Sequence, residues 1–220
     1  SYMADITGFT IFVPDYKLAP ENLFPSQLED GVATYKALID DYGYSNNEIA
    51  IGGDSAGGNL SLVTFLKLKE QNEALPAAVV CISPWADPAA TGESYNEEMA
   101  DKDPLIGPLF KKIWNKFNMK SAIGYYVKKE DVDPSNPVIC PINGDFSVCP
   151  TVMIQVGADE LLLSDSRSMK KVFERDGVTH EYKEWENLWH VFQLDGEMEE
   201  STKSFEMFRD FLNSHIETKV

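Results

Sequence analysis

Gly53-Asp54-Ser55-Ala56-Gly57 is the segment of this chain whose residue types and spacing first point to chemistry. It follows the short apolar run Ile49-Ala50-Ile51 and precedes a helix-like stretch that begins at Asn59. The Gly-x-Ser-x-Gly spacing alone is weak: at ~7% for each residue type, a chain of this length meets it by chance about 7% of the time. The strand-to-helix setting gives it weight, because a nucleophilic serine on a sharp turn needs that context. Such a turn strains the backbone, and its flanks must be small where neighbouring backbone passes. Gly53 and Gly57 meet that requirement around Asp54 and Ser55, with Gly52 and Gly58 beside them. The turn also sets the serine at the positive end of a helix, with the Ala56 amide aimed at a developing oxyanion. A glycine-rich phosphate loop fits less well, since no Lys follows for a P-loop and no G-x-G-x-x-G is present.

A serine at neutral pH needs a base, and the base needs an orienting carboxylate. The chain has three histidines. His180 falls in a strand-like run and His215 in the closing helix, where structural or solvated roles suffice. His190 lies in Asn187-Leu188-Trp189-His190-Val191-Phe192, a loop directly after the last strand, where open α/β sheets present their functional loops. It is the expected base. For the carboxylate, Gly157-Ala158-Asp159-Glu160-Leu161 follows another strand. Asp159 is the first carboxylate off that strand; alternation turns Glu160 away, and Asp165 reads as a helix cap. The expected set is therefore Ser55, Asp159 and His190, in the chain order of one of the known serine triads. It calls for no metal or organic cofactor.

These residues need a sheet to bring them together. Strand-like runs occur at Phe9–Val13, Ile49–Ile51, Ala77–Ile82, Val152–Val156 and Thr179–Trp185, and helical spacing at 27–42, 59–69, 164–175 and 197–215. Apolar strands separated by helices predict an α/β protein with a mostly parallel sheet covered on both faces. From about Ala86 to Val148 the rhythm breaks: prolines are frequent, no strand pattern appears, and one apolar helix carries Leu109, Phe110, Ile113, Trp114 and Phe117. An insertion of that length is usually functional or a subdomain. It reads as a cap or lid within a single domain spanning 1–220. Trp85, Leu109, Ile113, Trp114 and Phe117 are the expected substrate-binding side chains, and a plain helical excursion packed on the sheet is the competing reading.

Composition narrows the partners. With 220 residues, 43% of them apolar and 25% charged, the chain is ordinary globular material. Its 19 basic and 36 acidic residues give a net charge of −17, a field that repels phosphate backbones and anionic lipid heads and so argues against nucleic-acid and membrane-surface partners. No apolar run approaches the ~18 residues that would span a bilayer. The first residues carry no basic stretch leading into an apolar one, and Cys81, Cys140 and Cys149 have no metal-ligand spacing and do not pair evenly. These features lead to an expected cytoplasmic address.

Longer blocks then resemble a known family. Asp15-Tyr16-Lys17-Leu18-Ala19-Pro20-Glu21, Phe24-Pro25 and Glu29-Asp30 are similar to the Asp-Tyr-Arg-Leu-Ala-Pro-Glu block of hormone-sensitive-lipase-like esterases. Gly53–Asn59, Ser83-Pro84-Trp85, Asp133-Pro134 and Trp189-His190-Val191-Phe192 follow in that family's order. Lys17 stands where the family usually has Arg, a point charge in place of a fork. The resemblance implies an α/β-hydrolase fold and hydrolysis of small carboxylic esters of short to medium acyl chain, with Ser55 as nucleophile, His190 as base and Asp159 as acid. It also implies a His-Gly-Gly-Gly segment upstream of the Asp-Tyr-Arg block, whose amides complete the oxyanion hole. The 14 residues before Asp15 hold no histidine and one glycine, Gly8. On this reading the amino-terminal strands lie outside the chain, including the one normally seated between Phe9–Val13 and Ile49–Ile51. Those two strands must then pair directly, leave edges exposed, or rely on a segment outside the chain, and exposed edges would make the chain aggregation-prone or a homodimer. The 220 residues alone would be a poor esterase, at least about a hundredfold below an extended form. A ligand-binding protein or inactive fragment on the same fold stays open for the same reason.

Overall fold

A computed structural model of the chain describes residues 2–114, 124 and 126–217. Four strands form its sheet: β1 (Ala50–Asp54), β2 (Ala78–Ile82), β3 (Thr151–Gly157) and β4 (Thr179–Trp185). All neighbours are parallel and the spatial order is the chain order. The helices are α1 (Tyr2–Thr7), α2 (Ser26–Asp40), α3 (Ala56–Glu70), α4 (Glu97–Lys102), α5 (Gly107–Trp114), α6 (Leu163–Asp176) and α7 (Glu199–His215). The parallel sheet, the connecting helices and the insertion between β2 and β3 match the expected α/β organisation.

The continuous apolar runs of β2 and β3 are explained by burial on two sides. Val79, Cys81, Val152 and Ile154 face a core built with Leu62 and Phe65 of α3 and Phe173 of α6. Ala78, Val80, Ile82 and Met153 face the other way, against Phe205, Phe208, Phe211 and Leu212 of α7. Each strand thus splits its side chains between two helical layers with a period of two, as pleating requires. α6 closes as its sequence predicts, with Gly177 in the left-handed conformation at φ 69. No helix among the described residues is long and apolar enough to cross a membrane.

One expectation at the amino-terminal end needs correction, and one helix was not anticipated. Residues 2–7 form α1, and residues 9–13 are not a strand. A β-branched run becomes a strand only when another strand takes its backbone hydrogen bonds, and β1 does not pair with it. Ile11, Phe12 and Val13 are exposed, Val13 at 82%. The described residues of that region do not pair with β1, which lies at the edge of the four-stranded sheet.

Between β2 and β3, α4 and α5 pack on the segment that leads from β3 into α6. Tyr95, Ala100 and Phe110 share a small core with Leu161 and Leu162. Ser94 and Ser164 hydrogen-bond to each other, and the Ser94 hydroxyl also donates to the Leu161 carbonyl at 2.6 Å. Asp103 accepts from the amides of Leu105 and Ile106, and from Leu161 at 3.3 Å. The insertion is therefore fastened at its base to the loop beyond β3.

Candidate active site

Parallel strands present all their carboxyl ends at one edge, and there the chain concentrates its chemistry. β1 runs out into Ser55, β2 into Ser83, β3 into the Gly157–Glu160 turn and β4 into the loop of His190. Ser55 sits at φ 53, ψ −117, a backbone conformation that non-glycine residues adopt rarely and at a cost of about 1–3 kcal/mol. Its amide donates to the Ile82 carbonyl at 2.9 Å, and its own carbonyl accepts from the amides of Asn59 and Trp85 at 3.1 and 2.9 Å. The turn is thus tied to β2 and to the chain beyond it. Gly53 is required by space: a Cβ there would come within 2.5 Å of the Gly57 backbone. Gly57, expected to be small for the same reason, would direct a Cβ into open space, so the steric demand falls on one flank only. Asp54 is exposed.

His190 is 2% exposed. Its Nε2 lies 3.0 Å from Ser55 Oγ, and its Nδ1 lies 3.0 Å from a carboxylate oxygen, Oε1 of Glu160. The serine and the histidine therefore meet as their positions imply. The carboxylate does not follow the expectation: Glu160 stands where Asp159 was expected. β3 ends at Gly157, so Asp159 and Glu160 lie in a turn and strand alternation no longer governs them. Asp159 faces the rim, its side chain 29% exposed and 3.6 Å from Lys102 Nζ. Glu160 has the additional methylene and turns inward, fully buried, with Oε2 accepting from Gly157 N–H at 2.8 Å and from Ser83 O–H at 2.7 Å. With Oε2 so occupied, Oε1 takes Nδ1–H, and Nε2 is left with a lone pair for the Ser55 hydroxyl. A sequence signal for Glu160 did exist: Leu161-Leu162-Leu163 follows it directly, and a carboxylate leading a buried run must find partners inside.

The histidine loop is packed close to β3. A Cβ on Gly157 would fall 2.3 Å from the Leu188 carbonyl oxygen, and the Asp159 amide donates to that same carbonyl at 2.9 Å. Asn187 at φ 58 and Val191 at φ 50 flank His190 in left-handed backbone; for a β-branched valine this is a strained conformation. The other two histidines stay apart from this edge, His180 Nδ1 on the Val178 carbonyl and His215 Nδ1 on that of Phe211.

Trp85 lies beside the serine turn and begins an aromatic wall. Its ring centroid is 6.3 Å from Tyr126, which stands 5.7 Å from Phe24. Tyr126 was not singled out from the sequence, since it belongs to no periodic pattern, and Phe24 was read only as part of the Phe24-Pro25 block. Asn59, 3% exposed, holds this side together by donating to the carbonyls of Trp85 and Ile139. Of the insertion's expected substrate-binding residues, Leu109 is 55% exposed. The side chains of Ile113 and Trp114, and all of Phe117, lie outside the described residues.

Asp165, expected as the cap of α6, is instead inside that helix, since the residue preceding its first turn is Leu162. Its carboxyl is 1% exposed, and Oδ2 accepts from Asp87 N–H and Tyr95 O–H. Burial, followed by the neighbouring Asp87 charge, holds it well above the usual carboxylate range. A group whose folded-state value is raised stabilises the fold below its unfolded value and loses that contribution as pH rises through the folded one. Asp165→Asn cannot ionise. Its stability relative to the native chain is therefore expected to improve as pH rises above the unfolded carboxylate value of about 3.9, as read in denaturant melts. A pH-independent difference between the two would show that the carboxyl ionises freely.

Comparison with known proteins joins these observations. A profile described as alpha/beta hydrolase fold matches residues 1–194. The chain is 31% identical over 192 residues to an acetyl-hydrolase of Streptomyces hygroscopicus, an alignment covering 87% of this chain and 60% of that protein. It is 30% identical over 194 residues to an esterase of Acinetobacter venetianus, again covering 87% and 60%. The crystal structure of an esterase from the bacterial hormone-sensitive lipase (HSL) family superposes with a TM-score of 0.85 at 33% identity, covering 99% of this chain and 69% of the other. The chain thus spans about 60% of the length of the curated relatives it matches.

Proposed function

The chain belongs to the α/β-hydrolase fold family, with hormone-sensitive-lipase-like esterases among its similar structures, and from that premise we propose that it carries the catalytic centre of a serine carboxylesterase. The observation that carries the reading is the unbroken relay from Ser55 Oγ through His190 to the buried Glu160 carboxylate, with both contacts at 3.0 Å. In the proposed cycle Ser55 Oγ attacks the ester carbonyl carbon while His190 Nε2 takes its proton. The imidazolium so formed points Nδ1–H at Glu160, which steadies it without accepting the proton outright. The oxyanion develops toward the Ala56 amide at the start of α3, where helix N–H groups have no partner within the helix. Collapse breaks the bond to the alkoxy oxygen, and His190 returns the proton to the departing alcohol. Water then attacks the acyl carbon with His190 again as base, and the carboxylic acid leaves as Ser55 regains its proton.

The substrate class is a small ester with a short or medium acyl chain. The acetyl-hydrolase and esterase names of the relatives support it, and so does the series of aromatic rings that leads from Trp85, at the serine turn, to Tyr126 and Phe24. The rim pair Lys102–Asp159 belongs to the mouth of the site on this reading, not to the relay. Cys81, Cys140 and Cys149 are all free thiols and all buried, which supports a reducing, cytoplasmic setting.

The test is covalent capture together with turnover. A fluorophosphonate probe should add to the native chain once, with peptide mapping placing the adduct on Ser55, and p-nitrophenyl acetate and butyrate should be hydrolysed with a burst of one p-nitrophenolate per chain. A chain that neither labels nor turns over would favour the ligand-binding reading of the same fold.

A further inference from the structure

We propose that Ser83 is a positioning residue that holds Glu160 in register with His190, an inference that rests on the esterase reading of the site. Ser83 is the first residue beyond β2 and is fully buried. Its backbone stands at φ 46, a left-handed conformation that glycine would adopt without strain. A side chain kept where the backbone favours none points to a use for that side chain, and the hydroxyl has one. It donates to Glu160 Oε2 at 2.7 Å and accepts from the Val191 amide at 3.4 Å, while the Ser83 amide is anchored on the Gln155 carbonyl of β3 at 2.8 Å. One oxygen atom therefore joins three segments: the end of β2, the glutamate turn and the loop that carries His190.

The need for such a residue follows from the length of the glutamate side chain. Its carboxylate turns about three side-chain torsions, one more than an aspartate has. Oε1 faces His190 only if Oε2 is held, and the two groups that hold it are Gly157 N–H and Ser83 O–H. The first is backbone and moves with the turn. The second comes from a different strand, so it fixes the carboxylate relative to the frame of the sheet. When His190 becomes cationic, a carboxylate already aligned gains the full interaction without reorganising. Ser83 touches neither substrate nor the reacting atoms; its hydroxyl acts chiefly through Glu160 at 2.7 Å, with a longer 3.4 Å contact to the Val191 amide of the histidine loop.

The experiment is a double-mutant cycle of Ser83→Ala and Glu160→Gln, read by p-nitrophenyl butyrate kinetics and by the His190 Nδ1–H proton resonance in protein labelled with ¹⁵N-histidine. Ser83→Ala should lower kcat by about 10- to 100-fold with KM unchanged, and should shift or broaden the Nδ1–H signal. In the Glu160→Gln background the same change should cost less than about threefold, because the group it acts through is already gone. Ser83→Gly, which suits the backbone, should reproduce the kcat loss and keeps the test open if the alanine variant folds poorly. An unchanged Nδ1–H signal, or an equal fold-loss in both backgrounds, would overturn the proposal. A native chain without turnover whose Nδ1–H signal still responds to Ser83→Ala would sink the esterase reading and leave the positioning role standing.

Discussion

Ser55→Ala abolishes labelling by a fluorophosphonate probe and lowers kcat for p-nitrophenyl butyrate by about 10⁶-fold, leaving only the residual that binding and oxyanion contacts supply. The expectation follows from the geometry at the end of β1. Ser55 is the hydroxyl that contacts His190 Nε2, and its φ of 53 holds it there. Alanine also has a Cβ, so it inherits the same backbone strain and removes only the oxygen. Melting temperature should therefore stay near that of the native chain, and this separates loss of chemistry from loss of fold. A variant that retains more than about one hundredth of the native rate would place the nucleophile elsewhere.

The second large effect discriminates between adjacent carboxylates. Glu160→Gln should lower kcat by about 10⁴-fold, the scale seen when the carboxylate partner of a catalytic histidine becomes an amide. A glutamine can present N–H to Nδ1 and so favour the wrong imidazole tautomer, and it also offers the Ser83 hydroxyl and Gly157 amide a weaker acceptor. Asp159→Asn should stay within about threefold of the native rate, since its carboxylate is partly exposed and the cation beside it, Lys102, is itself 45% exposed. Pairs of that kind contribute about 0–1 kcal/mol. The reverse ranking, with Asp159→Asn severe and Glu160→Gln mild, would restore the assignment expected from sequence and refute the geometric one.

The Ser55–His190 contact of the candidate site is legible in the sequence alone. Ser55 could be found because a Gly-x-Ser-x-Gly turn between an apolar strand and a helix has few other uses, and His190 because it follows a strand directly. Both readings depend on local sequence and on one general property of parallel sheets, that the carboxyl ends lie together. The Asp159 expectation failed because it extended the strand's period of two past Gly157, where β3 stops. The contact of Ser83 with Glu160 was beyond reach for another reason. Ser83 acts on Glu160 across 77 residues of chain, and a contact at that separation leaves no trace in local pattern.

The sequence by itself determined the parallel α/β class, the positions of β1 to β4 and the serine–histidine pair, because periodicity, glycine placement and chain order are local physical constraints. Only the tertiary structure decided which carboxylate serves the histidine, that residues 9–13 remain unpaired, and that Asp165 is a buried partner of Tyr95 rather than a helix cap. Each of these turns on which distant group supplies or withholds a hydrogen bond. An apolar run becomes a strand only beside another strand, and a carboxylate is drawn inward only where donors converge on it, here Gly157, Ser83 and His190 from three separate strand ends.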